Sequence, residues 1–118
     1  MADRPDASYE RFEASSLIAQ QMVKGVPYLE FLRREPMSAG LYVLESGAED
    51  HQQPHAQDEL YHVLEGQAVL EVSGDQRPVK AGSTIFVAAG TPHRFHSIAA
   101  KLVVLVVFAP PESSAPAG

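Results

Sequence analysis

The stretch Pro54-His55-Ala56-Gln57-Asp58-Glu59-Leu60-Tyr61-His62-Val63-Leu64-Glu65-Gly66 decides how this chain folds. After Glu59 it is aliphatic, β-branched and aromatic, and it reaches a glycine within seven residues, so it reads as a strand rather than a helix. Side chains alternate along a strand. Glu59, Tyr61 and Val63 therefore share one face, and Leu60, His62 and Leu64 the other. His55 and Glu59 are the chemically active pair. On one straight strand four residues cover about 13 Å, too far for two side chains to share an ion at bonds of about 2 Å. A helix would bring i and i+4 together, but the residues after Glu59 argue against one. The remaining arrangement is a bend in which His55 closes one strand, Ala56-Gln57-Asp58 turns, and Glu59 opens the next. Pro54 suits that geometry because it ends strand pairing just before the turn.

A second stretch, Gly82-Ser83-Thr84-Ile85-Phe86-Val87-Ala88-Ala89-Gly90-Thr91-Pro92-His93-Arg94-Phe95, follows later in the chain. Gly90-Thr91-Pro92 reads as a tight turn that delivers His93. By alternation His93 and Phe95 share a face, and Arg94 and His96 the other. Two imidazoles and one carboxylate make a mixed nitrogen and oxygen donor set. Such a set suits Fe, Mn, Ni, Zn or Cu as a divalent ion and leaves positions open for water, substrate or O₂.

Around these stretches the texture is that of an all-β protein. Short apolar runs at 28–32, 40–45, 59–64, 68–73, 83–88 and 101–109 are separated by Gly, Pro, Asp and Ser. That spacing predicts a sandwich or barrel. Ser73-Gly74-Asp75-Gln76 is the best hairpin turn. The run Leu102-Val103-Val104-Leu105-Val106-Val107-Phe108 does not alternate. A strand covered on both faces reads this way, so it is expected at the centre of the sheet or at a subunit interface, and a homodimer is the expected assembly. Residues 8–22 are the only place for a helix, with Phe12, Ile18 and Met22 giving a poor apolar stripe. The division expected is an N-terminal extension (1–25), a barrel (26–109) and a flexible proline-containing tail (110–118).

Composition narrows the class. The chain has 118 residues, enough for one domain, with 45% hydrophobic and 20% charged residues. Its formal charge of −6 and the absence of a basic cluster argue against a nucleic-acid partner. No apolar run is long enough to cross a bilayer, and no basic start leads into an apolar segment, so no membrane partner and a cytoplasmic location are expected. With no cysteine, thiolate ligands and disulfides are excluded.

The two stretches together resemble the cupin family. Its first motif runs Gly, a spacer, His-x-His, three or four residues, Glu, six residues, Gly; Gly47, His55, Glu59 and Gly66 follow it here. Its second runs Gly, five residues, Pro-x-Gly, two residues, His, three residues, Asn; Gly82, Gly90 and His93 match. The chain departs from the pattern at Gln53 for the first His, Ala88 for the Pro and Ser97 for the Asn. The resemblance implies a double-stranded antiparallel β-barrel, jelly-roll-like, with one divalent transition metal (Fe, Mn, Ni or Zn) held by inward-pointing motif side chains. His55, Glu59 and His93 are the ligands it implies. Gln53 stands at the fourth position as a ligand or a hydrogen-bonding neighbour of one, and His51 is a weaker candidate for that place. Cupins include dioxygenases, isomerases, epimerases and lyases as well as binding modules. The expected function is a metal-dependent enzyme on a small-molecule substrate. An Fe(II)-type dioxygenase, an oxidoreductase, is the leading case, with Tyr61 on the metal-facing side as the candidate catalytic group. The alternatives are a metal-assisted isomerase or lyase, and a non-catalytic metal- or ligand-binding module.

Overall fold

The computed structural model describes residues 8–51 and 54–112. One helix, α1 (Ala14–Lys24), precedes six strands: β1 (Tyr28–Arg34), β2 (Met37–Leu44), β3 (Asp58–Val72), β4 (Asp75–Lys80), β5 (Thr84–Val87) and β6 (His93–Ala109). The strands form one antiparallel sheet in the order β1-β2-β6-β3-β4, with β5 also pairing with β3. The expected all-β antiparallel fold is present. The sheet is strongly curved but not closed, since β1 and β4 end the hydrogen-bonded path without pairing to each other.

Two of the expected strands are one. The runs at 59–64 and 68–73 are joined in β3, which bends where the glycine between them suggested a break. Gly66 has φ +97°, and a Cβ there would collide with the Lys101 carbonyl oxygen, so the close approach of β6 admits only glycine. Pairing slips between Val63 and Glu65 and again between Glu65 and Gln67, which bends the pair of strands. The bend folds the long β3–β6 ribbon back over itself. Val72 pairs with His93, yet the His93 ring meets Tyr61, eleven residues earlier on the same strand. On a straight strand those two positions would lie about 36 Å apart.

The folded ribbon encloses a core of Tyr61, Val63, Leu70, Phe95, Leu102 and Val104 with their neighbours. A smaller cluster of Leu17, Leu29, Leu41, Val43 and Val103 lies between α1 and the other face of the sheet. The last strand therefore does not alternate in polarity because its two faces serve two clusters, and it runs at the centre of the sheet between β2 and β3. The helix stripe differs from the expected one. Leu17 and Gln21 are buried, whereas Met22 is exposed. A buried Gln fits there because its carboxamide donates to the Val26 carbonyl at 2.9 Å.

The β3–β4 hairpin is tighter than expected. Val72 already pairs with Asp75, leaving Ser73 and Gly74 as a two-residue loop with φ +49° and +86°, the signature of a type I′ turn. At the C-terminus, the chain follows the sheet beyond Ala109 to Glu112 rather than leaving it at residue 110. Gln57 Nε2 donates to the Pro111 carbonyl (3.2 Å), the Glu112 N–H donates to Ser38 Oγ (2.9 Å), and the Arg33 guanidinium donates to the Glu112 carbonyl (2.8 Å). Residues 113–118 lie outside the described residues. Among the described residues no helix is long and apolar enough to cross a membrane.

Candidate metal centre

Strand alternation places the carboxylate. Glu59 is the second residue of β3, and Glu59, Tyr61 and Val63 all face the interior while Leu60 is exposed. His93 opens β6, and its inward partner Phe95 is fully buried while Arg94 is exposed. Both alternations agree with the sequence. His55 arrives differently from the expected strand end: it lies in an irregular segment before β3, not at the close of a strand. Its carbonyl accepts the Gly90 N–H at 2.7 Å, and Asp58 Oδ1 accepts the Ala89 N–H at 2.9 Å. The turn that delivers His93 thus also fixes the bend that delivers His55.

The three side chains converge. One donor atom each from His55, Glu59 and His93 lies within 4.8 Å of the others, and all three residues are buried. His93 Nε2 is 3.1 Å from Glu59 Oε1, and His55 Nε2 is 3.7 Å from the same oxygen. The other carboxylate oxygen, Glu59 Oε2, is buried with no hydrogen-bond partner among the described residues. A buried carboxylate left half-satisfied is costly. Two ring nitrogens and a carboxylate brought to one point, with an acceptor to spare, are the donor set a divalent cation would complete.

Each imidazole is also held from behind. His93 Nδ1 donates to the Thr91 carbonyl at 2.7 Å, which leaves Nε2 as the nitrogen facing Glu59. Burial alone would lower the His93 pKa. The Glu59 carboxylate, the Thr91 carbonyl and the charge of Asp50 outweigh burial and raise it above the usual imidazole value. His55 turns Nδ1 toward Glu112 Oε2 at 3.7 Å and packs its ring edge-on against Phe108, centroids 5.0 Å apart.

Tyr61, the expected catalytic group, is fully buried with its hydroxyl 3.0 Å from His93 Nε2 and its ring against Phe95. Gln53 lies outside the described residues. His51 does not join the cluster: its side chain is 81% exposed and lies 3.5 Å from Glu49. His62 and His96 face away from the centre, bonded to Thr84 Oγ1 and to Ser97 and Gln76 respectively.

Three residues near the centre escaped the sequence. Asp50 is buried and accepts from the Tyr42 hydroxyl (2.6 Å) and the Phe95 N–H (2.8 Å), anchoring the strand that carries His93. Tyr28 lies against Gly40 so closely that a Cβ there would strike its ring. Burial, followed by the charges of Glu112, Glu30 and Glu59, pushes its hydroxyl pKa far above the ordinary range. Glu112 is buried beside His55. Nothing in the local sequence marks Asp50 or Glu112, since one sits in a polar run and the other in a proline-rich terminus.

A cleft of about 260 Å³ opens beside the Ser73-Gly74 turn, with His93, Pro92 and Arg94 in its wall and Glu71 and Pro54 at its sides. Arg94 reaches Glu71 across it at 3.5 Å.

Comparison with known proteins agrees with this fold. The family model of the cupin domain matches residues 40–108. An uncharacterized protein of Streptomyces coelicolor is 47% identical over 102 residues, covering 86% of this chain and 97% of that protein. An RmlC-like cupin from Shewanella frigidimarina superposes with a TM-score of 0.63 at 20% identity, covering 70% of this chain and 74% of that one. A putative mannose-6-phosphate isomerase from Ralstonia eutropha does so with a TM-score of 0.63 at 24% identity, covering 72% of this chain and 87% of that one. Identities this low carry the fold and not the activity.

Proposed function

The chain belongs to the cupin family, and within it we propose a metal-dependent enzyme acting on a small organic substrate, with the ion held by His55, Glu59 and His93. The observation that carries this reading is the convergence of the three donors on a carboxylate whose Oε2 has no other partner among the described residues. A divalent ion held there would supply Lewis-acid or O₂-activating chemistry, with positions left open by a three-ligand set. The chain's own contribution is positional. Thr91 fixes the His93 tautomer, Asp50 holds the backbone of Phe95, and Phe95 and Tyr61 keep the inner wall dry. Substrate would enter through the cleft beside His93, whose wall also carries Arg94, there paired with Glu71.

An Fe(II)-type dioxygenase is the leading case, because two imidazoles and one carboxylate leave adjacent sites for substrate and O₂. A metal-assisted isomerase or lyase is the second reading, and the Tyr61 hydroxyl favours it. At 3.0 Å from His93 Nε2 it stands where it could carry a proton to or from a bound substrate. Two measurements separate these readings. The first is O₂ uptake by the Fe(II)-reconstituted chain over a panel of diketones and catechols. The second is solvent deuterium incorporation into recovered substrate. Uptake supports the dioxygenase, deuterium exchange without uptake supports the proton-transfer enzyme, and neither signal from any substrate counts against catalysis.

A further inference from the structure

The segment after β6 reaches the centre it was not expected to touch. We infer that Glu112 is a positioning residue for the metal centre: its carboxylate sets the Nδ1 proton and the ring orientation of His55, so that Nε2 is presented to the ion. The inference rests on the metal reading above and adds to it a residue outside the matched family region, which ends at 108.

Three observations carry it. His55 stands between two carboxylates, with Nε2 facing Glu59 Oε1 and Nδ1 facing Glu112 Oε2, each at an ion-pair distance of 3.7 Å. Both acids are buried, with side chains 1% and 6% exposed, so the pairing is sheltered from solvent. Glu112 is also held by its backbone rather than drifting at a chain end. Its N–H donates to Ser38 Oγ, itself fully buried, and its carbonyl accepts from Arg33, while Gln57, two residues past His55, donates to the Pro111 carbonyl. The other imidazole has an equivalent device from within the motif, where the Thr91 carbonyl accepts from His93 Nδ1. A carboxylate behind a ligating histidine fixes its tautomer and raises its basicity, and removing such a partner typically costs about 10- to 100-fold in metal affinity. Each histidine thus presents Nδ1 to an oxygen acceptor, His93 in a hydrogen bond to a backbone carbonyl and His55 at ion-pair distance from the carboxylate of a docked C-terminal segment.

The test uses the full metal-free chain and Co(II) alone. Glu112→Gln keeps the side-chain shape and both backbone contacts. It should bind Co(II) about 10- to 100-fold more weakly by chelator competition, with the visible Co(II) absorption bands at saturation unchanged because no ligand is lost. Nitrogen-15 NMR of the wild-type chain should show His55 Nδ1 protonated, a readout that does not depend on the variant folding. Wild-type and Glu112→Gln affinities within twofold of each other would overturn the role of Glu112 while leaving the metal reading intact. So would a neutral His55 carrying its proton on Nε2 instead. No Co(II) binding by the wild-type chain would overturn the metal reading itself, and the role of Glu112 with it.

Discussion

Glu59 Oε1 lies 3.1 Å from His93 Nε2, although the two residues belong to opposite ends of a folded ribbon, Glu59 at the start of β3 and His93 at the start of β6. The contact exists only because β3 and β6 bend together at Gly66. Removing the charge without changing the shape isolates what that contact does. Glu59→Gln should leave the chain folded and reduce Zn(II) affinity by more than about 100-fold, exceeding the loss expected for an outer partner of a ligand. Isothermal titration of the metal-free protein checks it, and affinity near wild type would remove Glu59 from the ligand set.

The raised pKa of His93 has a definite sign for stability. Burial opposes the charged form, but Glu59, Thr91 and Asp50 raise the folded value above the unfolded one of about 6.5. In the metal-free chain this contribution is fully present below the unfolded pKa and is lost as pH rises through the folded value. Metal acts in the opposite sense, because the imidazole must lose its proton to ligate. The rise in Tm given by a fixed Zn(II) concentration should therefore shrink as pH is lowered from about 8 toward 6. Thermal scans with and without metal measure it, and a pH-independent increment would count against His93 as a ligand.

Tyr61 separates binding from chemistry. Tyr61→Phe removes one buried hydroxyl and keeps the ring that packs on Phe95. It should cost about 1 kcal/mol of stability and leave metal content unchanged. If Tyr61 moves a proton, the variant should also lose 10²–10⁴-fold in the rate of solvent deuterium exchange, roughly the worth of a positioned acid or base. Unchanged exchange would assign Tyr61 to the wall of the centre alone.

The bend at Gly66 makes a prediction far from any ligand. Gly66→Ala introduces a Cβ against the Lys101 carbonyl at a φ of +97°. Backbone strain and collision together should destabilise the chain by about 3 kcal/mol or more. Chemical denaturation checks the cost. A variant as stable as wild type would mean that the ribbon folds over by some other means.

Much of the centre was legible because period-two alternation is a local property. Glu59 with Tyr61, and His93 with Phe95, needed only the strand reading and the turns before them. The spacing of His55 to Glu59 correctly demanded a bend, but not that His55 would lie outside any strand. What escaped was non-local. Gly66 read as a break because nothing local says that a glycine lets β6 approach. The incomplete closure of the sheet depends on pairing between distant edges. Leu17 and Gln21 bury the helix because Leu29, Leu41 and Val103 wait beneath it, a surface the helix sequence does not encode. Glu112 read as part of a flexible proline-containing tail, and its burial follows from Ser38 and Arg33, more than seventy residues away.

Metal content is the direct test of a centre built from His55, Glu59 and His93. Wild-type chain and His93→Ala would be loaded anaerobically with Fe(II), freed of loosely bound ion, and measured by elemental analysis alongside the protein as isolated. Ni or Zn in the isolated protein would not conflict with an iron role, since both bind such donor sets more tightly than Fe(II). About one divalent ion per wild-type chain is expected, with a near-complete loss in His93→Ala while the fold is retained. Equal metal in both, or none in the wild type under any loading, would contradict it.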